Sequence, residues 1–186
     1  MVILKRFKVL VLGDVNSGKS TLFRSLAQIE PDVKEKPSIR MDIYEIIKRF
    51  EGERYLIELH DIPGRELVKT AKSKVYNSTD GALVVYDISS PDTFRHTYFW
   101  IEELSSYSGR KHVPIVLVGN KSDLREKSDR TLNPIDAKQL IFRLNRTSMR
   151  DNVEHSYEEV SAKEKKGLSR LLDVILRSMI KYERSK

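Results

Sequence analysis

The sequence predicts an α/β fold in which a doubly wound, mixed six-stranded sheet carries helices on both faces. Short apolar runs alternate with longer segments of helical periodicity along the chain, an order typical of this fold class. Two of the runs, at 82–86 and 115–118, are uninterrupted, as in central strands that are covered on both faces. Because no repeat, linker or low-complexity tract interrupts the 186 residues, we expect one domain over residues 1–186.

The strands are predicted from short apolar runs and the turn signals beside them. The first run ends at Gly13, and Glu51-Gly52 predicts a hairpin between the second and third strands. The six predicted strands are 7–12, 41–50, 54–60, 82–86, 115–118 and 157–160.

The helices are predicted from apolar side chains at helical spacing and from their first residues. Ser90 is a suitable N-cap and Pro91 a suitable first helical residue. Pro134 opens a later helix in the same way. The predicted helices cover 19–29, about 91–107, about 134–144 and 168–182.

The composition excludes several classes of protein. The chain has no cysteine, which excludes a disulfide scaffold, a thiolate metal site and cysteine nucleophilic catalysis. The net charge of +7 raises the question of nucleic acid or an anionic membrane, but no nucleic-acid-binding module is recognisable, so we expect no nucleic acid to bind. The opening apolar run contains charges and no run is long enough to cross a bilayer, so we expect a cytoplasmic protein. We also expect the protein to be a monomer.

A phosphate-binding loop is predicted between the first strand and the first helix. Residues 13–20, GDVNSGKS, fit the pattern G-x-x-x-x-G-K-[ST] in the required context. Backbone N–H groups of such a loop converge on an anion. Lys19 would add a positive charge at the β- and γ-phosphates, and Ser20 would offer a hydroxyl to Mg²⁺. The alternative is a tight strand-to-helix turn with an incidental lysine.

A purine-binding loop is predicted after the strand at 115–118. Asn120-Lys121-Ser122-Asp123 lies at the carboxyl end of that strand, where ligands bind in open α/β sheets. The Asp123 carboxylate offers two acceptors to a purine that carries an N1–H and an exocyclic amino group. Asn120 can brace the loop, and the Lys121 stem can cover the ring face. A solvated polar turn is the alternative, and an ATP-binding site is disfavoured by Asp123.

Together with three further motifs, these loops resemble those of a Ras-like small GTPase of the Rab and Ras branches, over nearly the whole chain. Asp61-Ile62-Pro63-Gly64 resembles the second switch motif, Ser161-Ala162-Lys163 the second guanine loop, and Pro37-Ser38-Ile39 the first switch motif. The resemblance implies a P-loop NTPase of the small G-domain type with about five helices, which binds GTP and GDP with Mg²⁺ and hydrolyses GTP. Its two switches, about 30–40 and 61–76, would respond to the γ-phosphate and contact effector, exchange-factor or activating proteins.

The resemblance also implies roles for single residues. Ser20 and Ser38 would bind Mg²⁺ directly, and Asp61 would bind it through water. The Gly64 N–H would touch the γ-phosphate, and the Ala162 N–H would meet the guanine carbonyl. A turn residue is the plainer alternative for Asp61, and a hydroxyl that merely follows proline is the alternative for Ser38. The phosphate contacts implied are Asn16, Ser17, Gly18, Lys19, Ser20, Thr21, Ser38 and Gly64, and the guanine contacts implied are Asn120, Lys121, Asp123, Ser161, Ala162 and Lys163.

Two departures from the family pattern predict slow GTP hydrolysis by the catalytic set Lys19, Gly64 and Arg65. Arg65 stands where the family has glutamine, and arginine has no acceptor with which to orient the attacking water. Val15 stands where Ras proteins have glycine, and its branched side chain should crowd the transition state. One alternative is that Arg65 acts as an arginine finger in cis. Another is a GTP-loaded scaffold with negligible hydrolysis.

Other departures concern the first switch and two segments outside the motifs. Ser38 replaces threonine and 30–36 lacks the aromatic residue that covers the guanine edge, so we expect a mobile switch I and faster nucleotide exchange. The extra residues near 146–155 predict a variable surface loop, or else a partner-binding loop. The absence of cysteine leaves no covalent lipid anchor visible. A solvated face, or weak attraction to anionic lipid, is predicted for the basic side chains of the last helix, Arg170, Arg177, Lys181 and Arg184.

Overall fold

The computed structural model describes residues 3–29, 33–36, 42–62 and 69–186. The strands in this part of the chain are β1 (Lys5–Gly13), β2 (Val33–Lys36), β3 (Asp42–Phe50), β4 (Glu53–Asp61), β5 (Gly81–Asp87), β6 (Ile115–Asn120) and β7 (Ser156–Glu159). The helices are α1 (Lys19–Ile29), α2 (Lys69–Tyr76), α3 (Pro91–Arg95), α4 (Thr97–Tyr107), α5 (Pro134–Ser148) and α6 (Leu168–Arg184). The strands form one sheet in the order β2-β3-β4-β1-β5-β6-β7.

The sheet is mixed. β3 runs antiparallel to β2 and β4, and the other neighbouring strands are parallel. The predicted α/β fold class and the six predicted strands are confirmed, as is the hairpin at Glu51 and Gly52, both of which have positive φ. The structure adds β2 as a seventh strand at the sheet edge. Its sequence, VKEK, is too short and too charged to stand out as a strand, and pairing with β3 defines it.

An apolar core lies on each face of the sheet because side chains along a strand alternate between the two faces. On β1, Val9 and Val11 pack with α1 and α6, whereas Leu10 and Leu12 pack with α4 and α5. All four are fully buried, and each such side chain stabilises the fold by about 1.5–3 kcal/mol. The phosphate-loop pattern that follows β1 therefore starts from the centre of the molecule.

One predicted helix is divided in two. The helix expected over about 91–107 is interrupted at His96, between α3 and α4. The Thr97 hydroxyl donates to the Phe94 carbonyl at 2.7 Å, and a local bond of this kind competes with the regular helical pattern.

No helix in the described ranges is long and apolar enough to span a bilayer.

α5 is longer than predicted. It continues to Ser148 and is followed by a 3₁₀ turn at Met149–Asp151. The extra residues near 146–155, predicted as a surface loop, are therefore helical over their first part. The rest is held against α5, because the Asn145 amide donates to the His155 carbonyl at 3.0 Å and accepts from the His155 N–H at 2.7 Å. Side-chain bonding to the backbone, which sequence spacing does not reveal, makes this segment ordered.

Candidate functional site

The loops singled out from the sequence meet at one edge of the sheet. The phosphate-loop pattern follows β1, residues 121–123 follow β6 and residues 161–163 follow β7, and the carboxyl ends of parallel strands lie at the same edge. These loops surround a cavity of about 260 Å³. Its walls are formed by Gly18, Thr21, Asn120, Lys121, Asp123, Leu124, Ala162 and Lys163.

Two glycines define the path of the phosphate loop. A Cβ at Gly18 would lie 2.3 Å from Asn120 Nδ2, and a Cβ at Gly13 would lie 2.4 Å from the Val85 carbonyl oxygen. Both glycines have positive φ, so a side chain would be strained as well as crowded. Asn16 is also left-handed, with φ of 68°, a conformation that asparagine adopts more readily than most residues. The loop backbone can therefore curl around an anion.

Lys19 forms an ion pair with Asp61 at the end of β4. The two side chains are 9% and 11% exposed, and charges so deeply buried are costly unless they are paired. The pair places the predicted Mg²⁺ carboxylate beside the phosphate-loop lysine. Ser20, the second residue of α1, adds a hydroxyl. Carboxylate and hydroxyl oxygens are the hard donors that Mg²⁺ prefers, so these residues fit that ion.

Ser161 orients the predicted guanine-binding carboxylate of Asp123. Ser161 Oγ donates to Asp123 Oδ1 at 2.6 Å and accepts from the Glu164 N–H at 3.1 Å. The hydrogen bond from Ser161 holds the pKa of Asp123 below its ordinary value, because it stabilises the charged form. Asp123 is therefore an anionic acceptor at neutral pH, and Ser161 contributes to the site through it.

Asn120 joins the phosphate loop to the loop after β7. Its Nδ2 donates to the Ser17 carbonyl at 3.0 Å, and its Oδ1 accepts from the Ala162 N–H at 3.1 Å. The bracing role predicted for Asn120 thus acts on two loops at once. Sequence reasoning missed the second bond, which uses the N–H expected to meet a guanine carbonyl. The Ala162 N–H could donate to a guanine carbonyl only if it shared or gave up its hydrogen bond to Asn120 Oδ1.

Lys121 is held by a carboxylate that none of the sequence motifs contains. Lys121 Nζ donates to Asp87 Oδ2 at 2.6 Å, and Asp87 is only 6% exposed. The Ser89 N–H and hydroxyl bond to the other oxygen, Asp87 Oδ1, at 2.8 and 2.7 Å. The available signal was the position of Asp87 at the carboxyl end of a central strand, beside the switch point where ligands bind.

A second network joins the segment just after residues 120–123 to β7, which precedes residues 161–163. Arg125 forms a bidentate ion pair with Glu159 of β7. Tyr157 also donates to Glu159, and Tyr86 donates to the Tyr157 hydroxyl at 3.2 Å. Burial alone would raise the pKa of Glu159, but hydrogen bonds from Arg125 and Tyr157 keep it below its ordinary value. Burial raises the pKa of Tyr86 to about 12, so that hydroxyl keeps its proton as a donor.

The phosphate loop is also tied to α4 through Asp14. The Trp100 indole N–H donates to Asp14 Oδ1 at 3.1 Å, and His96 Nδ1 bonds to Asp14 Oδ2. Trp100 is 2% exposed, so its ring is fixed by the core. Val15, the next residue, is 77% exposed, as expected for a side chain that projects from the loop.

Some predicted site residues lie outside the described ranges. They are Ser38 of the first switch and Gly64 and Arg65 of the second. The structure describes α2, which forms the last part of the second switch. Lys72 Nζ on α2 pairs with Glu103 Oε2 on α4 at 2.9 Å. Glu103 is 7% exposed, so the pair is a firm attachment of α2 to the rest of the fold.

Comparison with known proteins agrees with this arrangement. The Ras family model matches residues 8–181. Ras-related protein RABA4b of Arabidopsis thaliana is 32% identical over 157 residues, which are 81% of this chain and 69% of that protein. Ras-related protein Rab11B of Nicotiana tabacum is 32% identical over 160 residues, or 83% of this chain and 72% of that protein. Ras-related protein Rab-33A of Mus musculus is 36% identical over 123 residues, which are 65% of this chain and 52% of that protein.

Proposed function

This chain belongs to the Ras family, and from that premise we propose that it is a guanine-nucleotide switch that hydrolyses GTP slowly. Family membership supports GTP binding and GTPase activity in general. The observation that carries the proposal is a cavity whose walls include both the phosphate-loop residue Gly18 and the predicted guanine contacts Asp123 and Ala162. One nucleotide could then place its phosphates at the first and its base at the second.

The proposed selectivity for guanine rests on the charge and direction of Asp123. Guanine presents an N1–H and an amino group, and both can donate to a carboxylate. Adenine presents an N1 lone pair at the same place, which an anionic oxygen repels. Because Asp123 is ionised at neutral pH and is oriented by the hydrogen bond from Ser161, the site would discriminate by a favourable pair of bonds and by repulsion of the wrong base.

In the proposed nucleotide complex, Lys19 and Asp61, which are paired with each other in the structure, would each take a different partner. Lys19 would bind the β- and γ-phosphates, while Ser20 and Asp61 would hold Mg²⁺, Asp61 through water. When bound, Mg²⁺ would neutralise part of the negative charge that develops on the phosphates as the γ-phosphoryl group is transferred to water. Ser38 and Gly64 complete the proposed set through the hydroxyl and the backbone N–H, and they would link the nucleotide state to the two switches.

The slow rate is proposed from Val15 and Arg65. The exposed Val15 side chain supports crowding where catalytic groups would approach the γ-phosphate. Arg65 offers donors only, so it cannot accept a hydrogen bond from the attacking water. Family membership does not favour the alternative of a scaffold with negligible hydrolysis. The switches would contact effectors, exchange factors and activating proteins in the cytoplasm.

Competition for bound nucleotide tests the central proposal. Labelled GDP is bound to the chain and then challenged with GTP or with ATP at equal concentrations in the presence of Mg²⁺. We expect GTP to displace it and ATP to be ineffective, and we expect Asp123→Asn to reduce the preference. Displacement by ATP that equals displacement by GTP would overturn the guanine assignment.

A further inference from the structure

A stripe of apolar side chains runs along the outer side of α5. Ile135, Phe142 and Met149 are 54%, 63% and 71% exposed, and they are three of the eight large apolar side chains exposed in the described residues. Single exposed apolar residues need no explanation. These three recur at every seventh residue, however, so they share one side of the helix and of the 3₁₀ turn that continues it, over about 20 Å.

Among the described residues, the core packs against the other side of α5. The helix is anchored in the core by Ala137, Leu140 and Ile141, all of which are buried. At about 100° per residue, Ala137 and Leu140 lie about 140° and about 160° around the helix from Phe142, and Ile141 lies about 100° from it. The stripe is thus a ridge that faces away from the sheet.

Basic side chains border the ridge on both sides. Measured from Phe142, Lys138 lies about 40° around the helix on one side, and Arg146 and Arg143 lie about 40° and about 100° around on the other. Arg150 follows Met149 in the 3₁₀ turn. All four are exposed. The only acidic residue of α5 is Asp136. The surface therefore combines large apolar side chains about 10 Å apart along the helix with cations between and beside them.

The cations beside the ridge are not engaged in ion pairs in the described part of the chain. The basic face of α6, for which the sequence left weak lipid attraction open, differs in this respect. Its basic side chains are paired with acids of neighbouring elements or lie over an aromatic ring, so less of its charge is available. The contacts are Arg170 with Glu158 at 3.0 Å, Lys181 with Glu154 at 2.7 Å, Arg184 with Glu51 at 2.9 Å, and Arg177 over Phe50 at 5.9 Å.

We propose that the α5 ridge, formed by Ile135, Phe142 and Met149 with its basic border, is a docking surface for an anionic lipid bilayer. A helix that lies in the plane of a membrane interface has this pattern, with large apolar side chains on one side and Lys or Arg beside them. The apolar side chains enter the boundary between headgroups and acyl chains, while the cations contact anionic headgroups. A second copy of the chain is a poor occupant, because two cationic borders would repel each other.

The proposal is independent of the nucleotide function. None of the ridge or border residues lines the cavity formed by the phosphate and guanine loops. Loss of nucleotide binding and loss of membrane binding can therefore be measured separately in one preparation of the protein.

Vesicle sedimentation tests the proposal. The full chain is mixed with vesicles of phosphatidylcholine alone or of phosphatidylcholine with phosphatidylserine. We expect binding to the anionic vesicles only, weakening as salt is raised. Equal binding to both vesicles would overturn the proposal. Binding to neither would also overturn it, and would leave an acidic protein surface as the occupant that fits the charge.

Matched variants locate the surface. The triple variant Arg143→Gln, Arg146→Gln and Arg150→Gln should bind about a hundredfold more weakly, at roughly fivefold per residue. Phe142→Ser should also weaken binding. The control carries the same change of net charge on α6, in Arg170→Gln, Lys181→Gln and Arg184→Gln, and should lose far less. Equal losses in the two triple variants would overturn the assignment to α5.

Folding and nucleotide binding of each variant are checked by circular dichroism and GDP binding. If either triple variant fails to fold, the single variants Arg146→Gln and Lys181→Gln are compared instead for their binding to anionic vesicles. A greater loss in Arg146→Gln supports the α5 surface, and an equal or smaller loss contradicts it.

Discussion

Asp87 Oδ2 accepts a hydrogen bond from Lys121 Nζ at 2.6 Å and thereby ties the end of β5 to the loop after β6. Lys121 is in the left-handed conformation, with φ of 66°, and it lines the cavity between the loops. A lysine stem has many rotamers, so a buried carboxylate partner determines where its methylene groups lie. The position of Lys121 thus has a cause outside its own motif.

The substitution Asp87→Asn should accelerate GDP release about tenfold, which corresponds to ~1.4 kcal/mol of binding free energy. Asparagine can still accept from the Ser89 N–H, but it loses the charge-assisted bond to Lys121. Release of a fluorescent GDP analogue measures the effect. Asp92→Asn is the matched control, because Asp92 is an exposed carboxylate on α3, and it should release GDP as the unmodified chain does. Unchanged release from Asp87→Asn would show that Lys121 is positioned by other contacts.

The bond between Trp100 and Asp14 should contribute to stability as well as to the shape of the phosphate loop. Trp100→Phe removes the indole donor, and Asp14→Ala removes its acceptor. A buried donor or acceptor left without its partner costs about 1–3 kcal/mol. We expect the two substitutions to be non-additive by about 1 kcal/mol in a double-mutant cycle. Urea unfolding provides the free energies, and strict additivity would mean that the contact is energetically neutral.

Arg65→Gln should accelerate single-turnover GTP hydrolysis. A gain of about tenfold would correspond to ~1.4 kcal/mol at the transition state, because glutamine can orient water by both donating and accepting. Arg65→Lys keeps the positive charge and serves as the control, with no gain expected. Slower turnover in Arg65→Gln would instead identify Arg65 as an arginine finger in cis.

His155 should make the fold less stable in mild acid. Burial, and to a smaller extent the charge of His112, lower the pKa of His155 from 6.5 to about 4. Between these pH values His155 is protonated in the unfolded chain but not in the folded chain, so the free energy of unfolding falls as pH decreases. The loss between pH 7 and pH 5 is about 2 kcal/mol.

The substitution His155→Leu removes this titration. Urea unfolding at pH 7 and pH 5 should show a smaller loss in the variant by about that amount. The backbone of residue 155 can keep its bonds to Asn145 in the variant, since both involve main-chain atoms. An identical pH dependence in the two proteins would show that other groups govern acid stability.

The sequence by itself determined the fold class, the hairpin at Glu51-Gly52 and the loops that surround the cavity. These features are local, since a strand, a turn and a helix start are each specified by residues that follow one another in the chain. The glycines of the phosphate loop belong here too, although only the structure shows that Asn120 and the Val85 carbonyl leave no room for a side chain at these positions.

The tertiary structure alone decided which charged and polar groups are partners. Asp14 reaches Trp100, 86 positions away, and Arg125 reaches Glu159, 34 positions away. It also decided that the basic side chains of α6 are mostly paired, while those beside Phe142 on α5 form no ion pair within the part of the chain that the structure describes. The physical reason is that side-chain bonds and ion pairs depend on distances of a few ångströms, and packing of the sheet and helices determines those distances.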